Sequence, residues 1–302
     1  MTDRSLPSSI RVREVGPRDG LQAEDPVDEA DRVRLISALA DAGLREIEAV
    51  SFVSPKAVPA MAGAAAVMAA IPRASGVTYL ALVPNRRGAE LALEASVDAL
   101  TVTVSASETY SQKNVHLSVD ESVAAAGEIA EFVGGRLPID VVVSCAFGSP
   151  YEGDLGADAV HRLGQRLLAG GADSLTYADT TGMGTPRLVH ELLERTGPDV
   201  GLHLHETRGT ALVNAYAALE DGVTRFDTSV GGLGGSPFAA GAAGNLATED
   251  LVHLCDDLGV TTGVQLDRLL EVSAMVAGLV GHPVPSRVAA AGPRWRLAEG
   301  AG

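Results

Sequence analysis

The sequence predicts a (β/α)8 TIM barrel with extra C-terminal helices, and three observations lead there. β-rich runs alternate with Ala/Leu/Glu/Arg-rich runs of helical spacing, the pattern of a parallel sheet covered by helices. Eight such strand-helix units fit in about 230 residues, close to the roughly 250 that a closed barrel typically takes. No dinucleotide fingerprint follows the first strand, which counts against a doubly wound open sheet, the alternative architecture.

The predicted strands are Ile10 to Val15, Glu46 to Phe52, Val77 to Val83, Ala99 to Ser105, Ile139 to Cys145, Ser174 to Ala178, Val200 to His205 and Arg225 to Val230. Each is a short run dominated by β-branched and other apolar residues. Helical spacing of apolar positions marks Asp28 to Ala42, Arg86 to Glu94, Asp120 to Val133, Ala157 to Ala169, Pro186 to Glu194 and Thr210 to Leu219 between them. The alanine-rich stretch near residues 62 to 70 reads as an exposed or half-buried helix. Two more helical patterns, Leu251 to Leu258 and Val264 to Gly278, lengthen the barrel rather than start a second domain. Pro283, Pro285 and Pro293 then end the regular structure. The expected organisation is one domain over residues 1–302: barrel at about 10–250, helical extension at about 250–285, flexible tail at 286–302.

With 46% hydrophobic and 21% charged residues, the 302-residue chain is globular rather than disordered or fibrous. Its 39 acidic and 23 basic side chains leave a net charge of −16, which excludes a general binder of nucleic-acid backbones. Cys145 and Cys255 are too few for a disulfide scaffold and suggest a reducing compartment. The first residues, MTDRSLPSSI, carry no apolar signal core, and the longest apolar run, Ala64 to Ile71, is far short of about 20 residues. The expectation is a cytoplasmic protein with no membrane and no nucleic-acid partner.

In a TIM barrel the chemistry sits at the carboxyl ends of the strands, and the unusual polar residues of this chain collect there. Strand 1 runs into Glu14-Val15-Gly16-Pro17-Arg18-Asp19-Gly20, strand 6 ends in Asp179-Thr180, and strand 8 opens into the glycine-rich segment from Gly231 to Gly244. His203 and His205 lie two apart on strand 7, so both face one side. They are either a metal-binding pair or hydrogen-bonded core histidines. Closing the barrel sets strand 8 beside strand 1 and lets Asp19 and Asn245 converge on them. One carboxylate, one amide oxygen and two imidazoles suit Mg²⁺ or Mn²⁺. Glu48, on an otherwise apolar strand 2, is costly to bury unless paired, and Arg18 is its nearest obvious partner. Arg18 itself is either an ion-pair partner or a donor to an oxyanion. The glycine-rich segment is no phosphate-binding P-loop, since no Gly-Lys-Ser/Thr follows, and reads as a lid with glycine hinges.

Seven ordered stretches together resemble the 3-hydroxy-3-methylglutaryl-CoA lyases: EVGPRDGLQ (Glu14 to Gln22), SFVSPKAVPAM (Ser51 to Met61), SASETYSQKN (Ser105 to Asn114), SCAFGSPYEG (Ser144 to Gly153), ADTTGMGTP (Ala178 to Pro186), HLHETRGTALVNAYAAL (His203 to Leu219) and GGLGGSPFAAGAAGNLATEDLV (Gly231 to Val252). The resemblance spans roughly residues 10 to 285. It implies a metal-dependent retro-Claisen cleavage of a 3-hydroxy-3-methylglutaryl thioester to acetyl-CoA and acetoacetate. Carried onto matching positions, Asp19, His203, His205 and Asn245 would be metal ligands, Arg18 would stabilise the thioester enolate, and Glu48 would orient Arg18 or the active-site water. Asp19 and His203 are the candidate bases. Gln22, Lys56, Lys113, Asn114, Asp179 and Arg208 are candidate contacts to the substrate or coenzyme A. The resemblance also implies a homodimer and, by default, a role in leucine degradation.

Three departures from the family, at Ser236, Glu206 and Arg208, bear on the chemistry. Where the family's lid motif GGLGGCP carries a proton-transferring cysteine, this chain has Ser236, a much weaker acid that can relay a proton or position water. The family's HCHDTYGQ reads HLHETRGT, which puts Glu206 and Arg208 at the substrate mouth. A lyase or aldolase for another branched 3-hydroxyacyl-CoA therefore stays open, as does a catalytically impaired acyl-CoA-binding barrel. Coenzyme A is a polyphosphate, so a chain of charge −16 must gather positive charge at the barrel mouth. Lys56 and Lys113, its only two lysines beside 21 arginines, both fall in family motifs on that side.

Overall fold

The computed structural model describes residues 6–235 and 244–296. Strands β1 (Arg11–Glu14), β2 (Glu46–Ser51), β3 (Thr78–Leu82), β4 (Ala99–Ser105), β5 (Ile139–Ser144), β6 (Ser174–Ala178), β7 (Gly201–His203) and β8 (Arg225–Thr228) follow one another around a closed parallel barrel. β8 returns to β1 in the register Arg11 to Arg225 and Glu14 to Thr228. The covering helices are α1 (Glu29–Asp41), α2 (Ala64–Ala70), α3 (Arg86–Glu94), α4 (Glu108–Val115), α5 (Val119–Val133), α6 (Ala157–Ala169), α7 (Pro186–Thr196) and α8 (Ala211–Glu220). α9 (Thr248–Leu258), α10 (Leu266–Val280) and α11 (Arg287–Ala291) complete the described chain. Among the described residues no helix is long and apolar enough to cross a membrane.

The period-2 pattern of the strands separates two interiors. Outward residues such as Ile47, Leu100, Val141 and Leu202 join Leu35, Ile36, Leu39, Ile129, Leu167 and Val189 of the helices in one apolar layer. The barrel lumen is different, because it holds a layer of buried charge. Arg13 on β1 donates to Asp227 on β8, Asp140 on β5 and Thr176 on β6. Gly201 leaves room for this layer, since a Cβ there would meet Thr176 Oγ1 at 2.4 Å. Apolar branched residues usually fill that place.

Several local expectations are corrected. β7 stops at His203 and His205 lies in an isolated bridge with Asn245, because the chain turns there to meet the segment after β8. β8 likewise stops at Thr228, and Ser229 bridges Ala247 instead. β5 stops at Ser144, since Cys145 takes φ +57° and leaves the strand direction. α4 was not expected as a helix; Ser107 caps it by accepting from Tyr110 N–H. The flexible tail expected over 286–302 contains α11, whose cap Ser286 accepts from Ala289 N–H and donates to Asp250 at 2.8 Å. Residues 297–302 lie outside the described residues.

The turn after β8 is held from below by two fully buried carboxyl groups. Glu14 accepts from Gly16 N–H at 2.7 Å, Val230 N–H at 2.8 Å and the Thr248 hydroxyl at 2.6 Å. Glu249 accepts from Gly231 N–H with both oxygens, at 2.9 and 3.0 Å. Burial pushes Glu14 up to about 7 and Glu249 up to about 8, the latter helped by its neighbour Glu14. A carboxyl group whose folded pKa is raised contributes stability that is complete below its unfolded pKa and is lost as pH rises through the folded value. Unfolding free energy should therefore fall as pH rises from about 5 to about 9. In Glu249→Gln, urea unfolding at both ends of that range should show the fall reduced by about 2 kcal/mol or more; an unchanged fall would contradict this assignment.

Candidate active site

β1 ends in a single π-helical turn, Gly16–Gly20, in which the N–H groups of Arg18, Asp19 and Gly20 all point to Val15 O. The turn packs tightly against the chain after β8: a Cβ on Gly20 would lie 2.8 Å from Ser229 Oγ, and one on Gly16 2.9 Å from Val230 Cγ1. Glycine at both ends thus lets the turn close and sets Arg18 and Asp19 over the barrel mouth.

Arg18 and Glu48 form the pair expected from the cost of burying either alone. Arg18 Nε donates to Glu48 Oε2 at 2.6 Å, and its Nη2 lies 2.5 Å from the same oxygen. Arg18 Nη1 donates to Asp19 Oδ1 at 2.5 Å. Asp19 Oδ2 accepts from Asn245 Nδ2 at 2.7 Å and stands 4.0 Å from His203 Nε2. The Nε2 atoms of His203 and His205 are 3.0 Å apart. One ligand atom each from Asp19, His203 and His205 thus fall within 4.8 Å of one another.

The electrostatics of this cluster favour lone pairs turned toward a cation. Burial works against charge on Asp19, but Arg18 and the two histidines outweigh it and hold its carboxyl below the usual range. Burial, aided by neighbouring His203, pushes His205 down to about 3, so its imidazole is neutral. On His203 burial is outweighed by Asp227 and Asp19, which hold it above the usual histidine value. A cation held by His203 would replace the second proton of its ring. Among the described residues Asn245 Oδ1 is buried without a hydrogen-bond partner, an acceptor that a cation would satisfy. Two imidazoles, a carboxylate and an amide oxygen fit a divalent ion that takes oxygen and nitrogen ligands.

Other predicted residues lie around this centre rather than in it. Asp179 Oδ1 accepts from Met183 and Gly184 N–H, and burial pushes the carboxyl up to about 6. Its Oδ2 is buried without a partner among the described residues. Arg208 donates from Nη1 to the carbonyls of Thr181 and Gly182, tying the β7 loop to the β6 loop at the exposed rim. Gln22 is half-buried just past the β1 turn. Lys56 is exposed after β2, while Lys113 and Asn114 are exposed on α4, with Lys113 Nζ 5.2 Å from the centre of the Tyr151 ring. Glu152 holds α4 in place by accepting from Thr109 N–H at 2.8 Å and from the Ser149 hydroxyl at 2.6 Å. Ser236 and most of the expected lid, residues 236–243, lie outside the described residues. Cys145 does not replace its missing thiol, because burial pushes it up to about 12.

Asp227, Arg13 and Asp140 escaped the sequence reading. His203 Nδ1 lies 3.2 Å from Asp227 Oδ2, so the charged layer of the lumen reaches the cluster from beneath. Charged residues at inward positions of apolar strands, Arg13, Asp140 and Asp227, were the available signal.

Residues 9–276 match the HMGL-like family. The chain belongs to that family. Among its relatives, the 3-hydroxy-3-isohexenylglutaryl-CoA/hydroxy-methylglutaryl-CoA lyase of Pseudomonas aeruginosa is 41% identical over 95% of this chain and 98% of its own. The hydroxymethylglutaryl-CoA lyase of Pseudomonas mevalonii is 43% identical over 92% of this chain and 95% of its own. An HMG-CoA lyase from Acinetobacter baumannii, solved with coenzyme A and 3-methylmalate, superposes with a TM-score of 0.92 at 40% identity, over 96% of this chain and 97% of that one.

Removing one partner of a buried ion pair strands the other. Glu48→Ala should lower the unfolding free energy by about 3–5 kcal/mol in urea. A loss below about 1 kcal/mol, the range of exposed pairs, would show that Arg18 is not held by Glu48.

Proposed function

We propose that this protein is a divalent-cation-dependent carbon–carbon lyase that cleaves 3-hydroxy-3-methylglutaryl-CoA to acetyl-CoA and acetoacetate. The observation that carries the proposal is the cluster of Asp19, His203, His205 and Asn245 set against the buried Arg18–Glu48 pair at the mouth of the barrel. Relatives of this family that are 41% and 43% identical over nearly the whole chain are hydroxymethylglutaryl-CoA lyases.

Asp19, His203, His205 and Asn245 would hold the cation. Bound there, Mg²⁺ or Mn²⁺ supplies Lewis-acid polarisation and lowers the pKa of the substrate's tertiary hydroxyl. Retro-Claisen cleavage removes that hydroxyl proton and leaves an enolate on the departing acetyl thioester. Asp19 and His203 are the candidate bases: Asp19 through a carboxylate oxygen that the cation leaves free, and His203 only while its Nε2 is off the ion, since a lone pair bound to a cation accepts no proton. Arg18 stays charged at any working pH and donates to the enolate oxygen, in an orientation fixed by its bonds to Glu48 and Asp19. Ser236 relays a proton or positions water where the family motif carries cysteine. Lys56, Lys113 and Asn114 meet coenzyme A, Arg208 meets the acyl portion, and Gln22 and Asp179 meet the substrate or coenzyme A. We further propose a cytoplasmic homodimer acting in leucine degradation.

A second reading, a lyase for another branched 3-hydroxyacyl-CoA, draws on Arg208 at the rim and on the Pseudomonas aeruginosa relative, whose name covers an isohexenyl substrate as well. Incubation with Mn²⁺ and either 3-hydroxy-3-methylglutaryl-CoA or its isohexenyl analogue separates the two by acetyl-CoA release. Release from the methyl substrate, with Ser236→Cys faster than the parent, is the expected result. Release from the longer substrate alone supports the second reading, and no release from either with Mn²⁺ bound leaves a binding protein.

A further inference from the structure

Of the two imidazoles in the cluster, only that of His203 has a partner on its other nitrogen among the described residues. His205 Nδ1 is buried with none, whereas His203 Nδ1 lies 3.2 Å from Asp227 Oδ2. That carboxylate is itself held at both ends by one guanidinium: Arg13 Nε donates to Oδ1 at 2.7 Å and Nη2 to Oδ2 at 2.8 Å. Arg13 is fixed in turn by Asp140 Oδ2 at 2.9 Å and Thr176 Oγ1 at 3.0 Å. Four strands, β1, β5, β6 and β8, thus converge on the placement of one carboxylate. The closing link, Thr176 Oγ1 donating to Asp140 Oδ2 at 2.8 Å, leaves no slack in the ring.

A barrel lumen needs none of this to fold. Buried ion pairs replaced by apolar side chains of similar volume are often neutral or stabilising, and apolar layers are the rule in this architecture. The upward-facing member of the network touches a metal-ligand candidate, and a carboxylate behind a ligating imidazole fixes its tautomer and ring orientation.

We propose that Asp227, clamped by Arg13, is the positioning residue of the cation site: it keeps the ring proton of His203 on Nδ1 and turns an unprotonated Nε2 toward the ion. This rests on the cation site proposed above. In the same way, Arg13 positions Asp227, and Asp140 supports Arg13 without touching His203.

The contrast between Asp227 and Asp140 provides the test. Full-length parent, Asp227→Asn and Asp140→Asn are titrated with Mn²⁺, following free Mn²⁺ by its six-line EPR signal, and melted without metal. Both variants remove one carboxylate from Arg13 and should lose comparable thermal stability. Asp227→Asn should bind Mn²⁺ about 10- to 100-fold more weakly, with Asp140→Asn within about threefold of the parent. Parent-like affinity in Asp227→Asn, or equal weakening in both variants, overturns the proposal and leaves the network a purely structural feature. If Asp227→Asn does not fold, ¹⁵N-histidine spectra of the Mg²⁺-loaded parent decide: a proton on His203 Nδ1 supports the proposal, and a proton on Nε2 overturns it. A parent that binds no Mn²⁺ overturns the cation site and this proposal with it. That outcome is distinct, because failure of the positioning role alone leaves parent affinity intact.

Discussion

β1 lies against β8 with Glu14 opposite Thr228, and this closure brings residues from the two ends of the barrel into one cluster. Asp19 follows the first strand and Asn245 follows the last, yet their side chains meet at 2.7 Å. The bridge between His205 and Asn245 extends the same convergence to the end of β7. Glu14 and Glu249 secure it by binding the backbone N–H groups of Val230 and Gly231 where the chain leaves β8. Slippage of this seam by one residue would exchange inward for outward side chains and dismantle the cluster.

The second constraint is the cost of so much charge in the interior. Arg13, Arg18, Glu48, Asp140 and Asp227 are all buried, and none is tolerable there alone. They survive because each is bonded to an opposite charge, and the two arginines each engage two carboxylates. The pairs also divide the labour of the site. In the proposed function Arg18, held by Glu48, would set a permanent cation beside the developing enolate charge, while Asp227, held by Arg13, meets the imidazole of His203 from below. Rigid partners of this kind hold a site in its working geometry before substrate arrives.

Much of this was legible in the sequence because polar residues at strand ends are conspicuous among apolar runs. Arg18, Asp19, His203, His205 and Asn245 stood out in that way, and barrel closure predicted their meeting. Glu48 gave away its partner through the expense of a lone buried carboxylate. The lumen layer was harder to read: Arg13, Asp140 and Asp227 sit on three strands far apart in the chain, and nothing local says that they share one height in the barrel. The short extent of β7 and β8 was hidden too, because Leu204 and Val230 are as apolar as any strand residue; pairing with the segment at Asn245–Ala247 ends those strands. α4 and α11 start at serine caps, Ser107 and Ser286, and are also held by carboxylates distant in sequence, Glu152 and Asp250, signals that are weak beside an amphipathic stripe.

The proposed function needs two histidines on the rim of β7 and the residues beside them to bind a divalent cation at the mouth of this barrel. Pulsed EPR of the Mn²⁺-loaded full-length protein tests it most directly, because nitrogen bound to the ion modulates the electron spin echo. The account predicts couplings from two imidazole nitrogens, with one lost in His205→Ala. A spectrum of water and carboxylate ligands alone, with no imidazole nitrogen, would contradict it.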